Sequence, residues 1–134
     1  MVDRAQVELV PCLAALPEEA RDAVAEAFDE VDVPAGERVA SQGDFAYEIF
    51  AIVEGTARVE QDGNVISTMG PGEMFGEIGL LVTGRRTAAI VAETPMRLLA
   101  MFDQSYRRVS KEYPGFEKVV RDRCGPRFTR PATA

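Results

Sequence analysis

The chain has 134 residues, of which 46% are hydrophobic and 28% are charged, as is usual for a soluble globular domain. Its net charge of −7 argues against nonspecific nucleic-acid binding, and the lack of histidine excludes His-assisted catalysis and predicts no metal site. No apolar run approaches the ~20 residues of a membrane span, so we expect a cytoplasmic protein with two free thiols, Cys12 and Cys124.

Residues 1–30 have a helical pattern. Pro17-Glu18-Glu19 is typical of a helix start, with proline in the first turn and acids near the positive end of the helix dipole. Apolar residues then recur at helical spacing and predict a helix over 17–29. A shorter helical segment is expected before it. The chain therefore begins with a helical region.

Residues 31–102 have a β pattern, with short apolar segments separated by turn signals such as Asp62-Gly63-Asn64. The predicted strands are Val39–Gln42, Ile49–Val53, Ala57–Gln61, Val65–Met69, Thr87–Ala92 and Arg97–Phe102. Strands this short, at such regular spacing, favour a closed barrel or a double-sheet jelly roll.

Helical character returns at Asp103, which we predict to be an N-cap. One helix runs to Tyr113, and another from Gly115 to about Cys124, where Gly125-Pro126 should end it. We expect 103–125 to form two closing helices and 126–134 to be a disordered tail. No linker divides the chain, so 1–134 is predicted to be one domain.

One motif carries chemistry: Phe75-Gly76-Glu77-Ile78-Gly79-Leu80-Leu81, followed by Gly84-Arg85-Arg86-Thr87-Ala88. A short helix that begins at Gly76-Glu77 would aim unpaired amides at an anion. Arg86 can bind phosphate oxygens, and Glu77 can accept a hydrogen bond from a sugar hydroxyl. Arg85 should face solvent, because neighbouring strand residues alternate. The motif suits a ligand with both a phosphate and a sugar.

The order of helices, β segments, short helix and closing helices resembles the cyclic nucleotide-binding domain family. Supporting motifs are Pro34-Ala35-Gly36-Glu37, Gln42-Gly43-Asp44, Val53-Glu54-Gly55 and the phosphate-binding cassette over 75–88, whose closest resemblance is to the channel branch. The resemblance implies a mainly β fold with flanking helices. That fold is an eight-stranded antiparallel β roll (a jelly roll) with N-terminal helices, a short phosphate-binding helix and C-terminal hinge and lid helices.

The resemblance also implies roles for individual residues. Gly76, Glu77, Ile78 and Gly79 would surround the cyclic phosphate and ribose, with Arg86, Thr87 and Ala88 completing the ligand-binding segment. Val59, Ser67 and Met69 would line the purine pocket, and Arg127 falls at a base-contact position beyond the break at Gly125-Pro126. Leu80 would couple the cassette to the hinge helix, and the early helix end suggests that the pocket stays partly open.

Each of these residues has an ordinary alternative. Glu77 could be only an acid in the first turn of its helix, where it favours the helix dipole, and Arg86 could be only a surface cation. Thr87 is a common β-former, and Val59 and Met69 would also suit the core.

We therefore expect a non-enzymatic, stand-alone cyclic nucleotide sensor of bacterial origin. It would bind cAMP in preference to cGMP, need no cofactor and regulate a separate effector protein. The alternative is an interaction module of the same fold that needs no ligand. A cupin-like enzyme is disfavoured because it needs metal-binding histidines.

Overall fold

The computed structural model describes residues 1–77 and 79–124, beginning with three helices, α1 (Arg4–Val7), α2 (Pro11–Ala14) and α3 (Glu18–Ala27). Helix α3 begins after Pro17, with Glu18 and Glu19 in its first turn. It ends two residues earlier than predicted, because Phe28 is extended (φ −84°, ψ 147°) and fully buried. This buried residue turns the chain into the first strand.

In the described residues, eight strands form two four-stranded antiparallel sheets, which confirms the predicted β roll. The strands are β1 (Asp29–Val33), β2 (Arg38–Ala40), β3 (Glu48–Glu54), β4 (Ala57–Gln61), β5 (Asn64–Met69), β6 (Met74–Phe75), β7 (Ala89–Ala92) and β8 (Met96–Phe102). The first sheet has the order β1-β8-β3-β6 and the second β2-β7-β4-β5. The cassette lies between β6 and β7, where the chain crosses from one sheet to the other.

Two strands were not among the predicted segments. Strand β1 lies at a sheet edge, and four of its five residues are exposed, three of them acids, so it has no apolar alternation to detect. Strand β6 has only two residues and pairs with Phe50 and Ala51. Strand β7 begins at Ala89 rather than at the predicted Thr87.

The C-terminal region forms α4 (Asp103–Glu112) and α5 (Pro114–Val119), and α5 continues as a π-helical segment, Val120–Cys124. Asp103 is the first helical residue rather than the N-cap, which is Phe102. Its carboxylate nevertheless accepts a 2.8 Å hydrogen bond from the amide of Gln104. The predicted stop at Gly125-Pro126 and the predicted tail over 126–134 lie outside the described residues.

Two hydrophobic cores hold these elements together. One fills the roll between the sheets, with Ile52, Val59 and Leu98 fully buried. The other packs the helices on the outer face of the first sheet, where Phe28, Ile49 and Phe116 are fully buried. The cassette contributes to both, since Phe75 and Ala88 belong to the first core and Leu80 to the second.

Three further expectations concern the cysteines, membrane spans and metal sites. Cys12 is disulfide-bonded, so the expectation of a free thiol is wrong for this residue. Within the described residues no helix is both long and apolar enough to cross a membrane. The same part of the chain holds no cluster of carboxylates and cysteines that would bind a metal ion.

Candidate phosphate-binding site

The candidate site begins where β6 ends and the chain makes a close approach to its neighbours. Gly76 has φ +96°, and a Cβ atom there would lie 2.6 Å from Nη1 of Arg86 and 3.1 Å from the carbonyl oxygen of Glu48. A side chain at Gly79 would also be crowded, 3.0 Å from the carbonyl oxygen of Arg85. Both glycines therefore let the cassette backbone pack directly against the arginine segment.

The helix predicted from Gly76 is present as a short helical segment of a different kind. Glu77 is helical, and Gly79–Thr83 forms a wide π-helical turn, anchored by a 3.0 Å hydrogen bond from the Leu80 amide to the Gly76 carbonyl. Ile78 lies outside the described residues. The turn brings Leu80, which is only 7% exposed, into the helical core.

Arg86 is the central cation of the site. It is 8% exposed, and its Nη2 donates a 2.9 Å hydrogen bond to the carbonyl oxygen of Glu48. Nη2 also lies 3.9 Å from a carboxylate oxygen of Glu48, but Nη1 is buried and has no hydrogen-bond partner among the described residues. A buried guanidinium with an unsatisfied N–H is costly, so this atom is available to an anion.

Burial also changes the proton affinity of this group. Desolvation lowers the pKa of Arg86, while the nearby carboxylates of Glu48 and Asp44 oppose that change. An arginine stays protonated at physiological pH even so. The site therefore presents a fixed positive charge in a poorly solvated position, where an anion interacts more strongly than in water.

Arg85 and Arg86 have opposite environments, as the alternation argument predicted. Arg85 is exposed, and its Cζ lies 4.1 Å from the centroid of the Phe45 ring. Arg86 points inward, with Cζ 5.6 Å from the centroid of the buried Phe50 ring. Only the second arginine is positioned to face a ligand in the cassette.

Three other cassette residues, Glu77, Thr87 and Ala88, are also buried or partly buried. Glu77 is 7% exposed, and Ala88 is 1% exposed in the core of the roll. The hydroxyl of Thr87 is buried and has no hydrogen-bond partner, whereas its carbonyl oxygen accepts a 3.0 Å bond from Nε2 of Gln61. The segment thus contains a buried carboxylate, a buried cation and a buried hydroxyl, a set of groups that suits a phosphate bound to a sugar.

The proposed purine residues come together on one face of the second sheet. Val59 on β4 pairs with Ser67 on β5. Ala57, two residues before Val59 on β4, pairs with Met69 on β5. Val59 is fully buried and Met69 is 2% exposed, and both belong to the core of the roll. Their position fits a pocket wall or plain core equally well. Arg127 lies outside the described residues.

Two residues near the site, Glu48 and Gln61, were not predicted from the sequence. Glu48 contacts Arg86 through both its carbonyl and its carboxylate, and Gln61 supports the Thr87 backbone. Inward alternation along β4, from Ala57 through Val59 to Gln61, is the signal that points to Gln61. No local signal points to Glu48, because its contact with Arg86 spans 38 residues of chain.

The sequence and the fold were compared with known proteins. The family model described as "Cyclic nucleotide-binding domain" matches residues 30–113. The potassium/sodium hyperpolarization-activated cyclic nucleotide-gated channel 4 of Homo sapiens is 35% identical over 92 residues, 66% of this chain and 8% of the channel. A cAMP-dependent protein kinase regulatory subunit of Schizosaccharomyces pombe is 34% identical over 105 residues, 78% of this chain and 25% of the subunit.

A solved structure supports the same relationship. The Thermus thermophilus catabolite activator protein superposes with a TM-score of 0.75 at 28% identity, covering 83% of this chain and 55% of that protein. The chain thus spans only a small part of the channel and a quarter of the kinase subunit. The similarity concerns one domain of these larger proteins.

Proposed function

Because the chain belongs to the cyclic nucleotide-binding domain family, we propose that it is a regulatory, non-catalytic sensor that binds cAMP in preference to cGMP. The observation that carries this proposal is the buried Nη1 of Arg86, which has no partner and faces Gly76 in the cassette. A cyclic phosphate would supply the missing acceptor through a charge-assisted hydrogen bond. No cofactor is needed for this role.

The remaining cassette groups have matching tasks. The Glu77 carboxylate accepts the ribose 2′-hydroxyl, and the Thr87 hydroxyl, which is buried without a partner, donates to the phosphate. The backbones of Gly76, Ile78 and Gly79 complete the phosphate site, and Ala88 closes it on the side of the roll. Val59, Ser67 and Met69 contact the purine, and Arg127 is proposed to reach it from beyond the closing helices.

Binding has to reach a partner through the closing helices. Leu80 lies within the cassette and is buried in the core that also contains Tyr106, Phe116 and Val120 of those helices. A nucleotide that moves the cassette therefore moves Leu80 against α4 and α5, and the free energy comes from its different affinity for the two states. We propose that the single domain regulates a separate cytoplasmic effector protein in this way.

The test is calorimetry and thermal unfolding with cAMP, cGMP and 5′-AMP. At 100 times its dissociation constant, a ligand that binds only the folded state adds ~2.7 kcal/mol to the free energy of unfolding. We expect this shift with cAMP, a smaller one with cGMP at equal concentration and none with 5′-AMP.

The matched variants are Arg86→Leu, which removes the buried charge, and Arg85→Leu, which removes the exposed charge next to it in the sequence. Arg86→Leu should abolish the shift with cAMP, and Arg85→Leu should keep it. If neither cyclic nucleotide stabilises the wild-type protein, the sensor proposal fails and the ligand-independent interaction module takes its place.

A further inference from the structure

An exposed aromatic and cationic surface lies beside the candidate site, on the loop between β2 and β3. Phe45 is 57% exposed and Tyr47 is 58% exposed, and their ring centroids are 6.2 Å apart. The guanidinium of Arg85 stacks on the Phe45 ring at 4.1 Å. We call Phe45, Tyr47 and Arg85 the aromatic platform. Aromatic rings exposed together in this way are typical of an interaction site.

The charge around this platform is unusual for the molecule. The platform forms one side of an open groove of about 570 Å³ that Arg38, Asp44, Glu48 and Arg86 also line. Arg38 and Arg85 are both exposed, and neither forms an ion pair with any residue that the structure describes. Two unpaired arginines therefore accompany the aromatic rings in a chain of net charge −7.

The loop that carries the platform is hydrogen-bonded to the segment that carries Arg86. The amide of Gly43 donates to the carbonyl oxygen of Arg86 at 2.8 Å, and the amide of Arg86 donates to the carbonyl oxygen of Asp44 at 2.7 Å. The amide of Ala46 donates to Gly84 at 3.0 Å, and Nη1 of Arg85 donates to Gly43 at 2.9 Å. A displacement of Arg86 is therefore transmitted directly to the loop.

We propose that the aromatic platform is a docking surface for an acidic segment of a partner protein. An apolar side chain of that segment packs on Phe45 and Tyr47, while its carboxylates pair with Arg38 and Arg85. Exposed aromatic and arginine side chains are the residues that dominate binding energy at protein interfaces, and arginine pairs with carboxylates through two hydrogen bonds. The exposed arginines favour an acidic partner, although the chain as a whole has a net charge of −7.

A second consequence rests on the proposed function. A cyclic nucleotide that pulls on Arg86 shifts the loop through the four hydrogen bonds above, so nucleotide occupancy changes the affinity of the platform. Docking itself does not need the nucleotide. The two statements can therefore fail separately.

The experiment is selection of peptides from a displayed random 12-residue library against the purified chain, without nucleotide. We expect enriched peptides that combine carboxylates with one large apolar residue and perturb the amide resonances of Phe45, Tyr47 and Arg85. Phe45→Ala and Arg85→Glu should each weaken the best peptide by about tenfold or more. The matched controls Leu9→Ala and Lys111→Ala, which remove an exposed apolar side chain and an unpaired charge elsewhere, should change its affinity by less than about twofold.

Other outcomes overturn the proposal. These are the absence of enriched peptides, enrichment of basic peptides, insensitivity to Phe45→Ala and Arg85→Glu, and self-association of the chain through Phe45.

The nucleotide dependence is then read from the same peptide. Saturating cAMP should change its dissociation constant by about threefold or more in the wild type and leave it unchanged in Arg86→Leu. If the peptide binds but cAMP does not bind at all, the docking surface stands and the sensor proposal fails. If cAMP binds without changing the peptide affinity, only the coupling between the two sites is wrong.

Discussion

The Nη1 atom of Arg86 lies only 2.6 Å from the position that a Cβ atom of residue 76 would occupy. Gly76 also has φ +96°, a backbone conformation that side chains rarely adopt. The glycine and the arginine are therefore one structural unit. Any side chain at position 76 displaces the guanidinium that we propose binds the phosphate.

The first prediction follows from that contact. Gly76→Ala should lower the free energy of unfolding by ~2–4 kcal/mol, because the left-handed backbone costs ~1–2 kcal/mol and the overlap with Arg86 adds to it. It should also weaken cAMP binding by at least about tenfold, since the guanidinium moves. Urea unfolding and calorimetry measure the two effects.

Gly36→Ala is the matched control for this change. Gly36 has φ +86°, but a Cβ atom there would have nothing within 4 Å. Gly36→Ala should lower the free energy of unfolding only by the cost of the left-handed backbone, and it should keep normal cAMP affinity. Equal effects of the two substitutions on nucleotide binding would show that the contact between Gly76 and Arg86 has no role in the site.

The second prediction concerns the carboxylate that shares Arg86 with the ligand. Glu48 Oε1 lies 3.9 Å from Nη2, so it attracts the guanidinium and repels an incoming phosphate. Glu48→Gln keeps the backbone carbonyl that holds Nη2 and removes this charge. We expect cAMP affinity to rise by about two- to fivefold, and the gain to shrink as salt increases.

Glu93→Gln makes the same change of net charge at an exposed residue outside the site. It should leave cAMP affinity unchanged to within experimental error. A fall in affinity with Glu48→Gln would mean that the carboxylate positions Arg86 rather than competing for it.

The parts of this fold that could be predicted from the sequence have local causes. Turn residues such as Asp62-Gly63 separate β4 from β5. The different exposure of Arg85 and Arg86 matches the prediction, although neither residue lies in a strand, because β7 begins only at Ala89. Gly76 also carries a local signal, because it stands in the cassette motif and glycine adopts a positive φ readily.

The parts that could not be predicted depend on contacts between distant segments. Strand β1 is held at a sheet edge by pairing with β8, with Asp29 opposite Ala100, and its own side chains are mostly exposed acids. The π-helical turn at Gly79 is fixed by close packing against Ala46 and the carbonyl of Arg85. Glu48 likewise meets Arg86 only once the roll has closed.

The third prediction tests the path from the cassette to the closing helices. Leu80→Ala should cost ~2–4 kcal/mol of stability, because Leu80 is buried in the helical core. We expect cAMP affinity to stay within about threefold, while the nucleotide-induced change in amide exchange of α4 and α5 becomes smaller. Amide hydrogen exchange with and without cAMP measures this change in α4 and α5.

Leu98→Ala removes the same side chain from the other core, inside the roll. It should cost a similar amount of stability and keep the exchange response of α4 and α5. A full response in Leu80→Ala would show that coupling runs through other residues.

The fourth prediction concerns the phenol of Tyr106, which lies in the helical core next to α5. Its ring centroid is 5.4 Å from that of Phe116, and within the part of the chain that the structure describes neither its hydroxyl nor that of Ser110 has a hydrogen-bond partner of acceptable geometry. Burial raises the pKa of Tyr106 to about 12, more than the nearby Ser110 hydroxyl lowers it. The ordinary value is 10.0, so between these two values the unfolded chain ionises while the folded protein keeps its proton.

The sign of the pH effect follows from this difference. The folded state binds more protons than the unfolded state above pH ~10, so the free energy of unfolding must fall as the pH rises toward ~12. Below pH ~10 both states keep the proton, and the contribution of Tyr106 does not change with pH. Tyr106→Phe removes this ionisation and leaves the ring contact with Phe116 in place.

We therefore expect Tyr106→Phe to match or slightly exceed the wild type in stability at pH 7, because it removes a buried hydroxyl that has no partner. Above pH ~10 its stability should fall less steeply than that of the wild type. Urea unfolding from pH 7 to pH 11 measures both effects. Tyr47→Phe is the control, because Tyr47 is 58% exposed and its hydroxyl lies outside the core. If the free energy of unfolding falls equally in the wild type and in Tyr106→Phe above pH ~10, ionisation of Tyr106 does not cause the loss of stability at high pH.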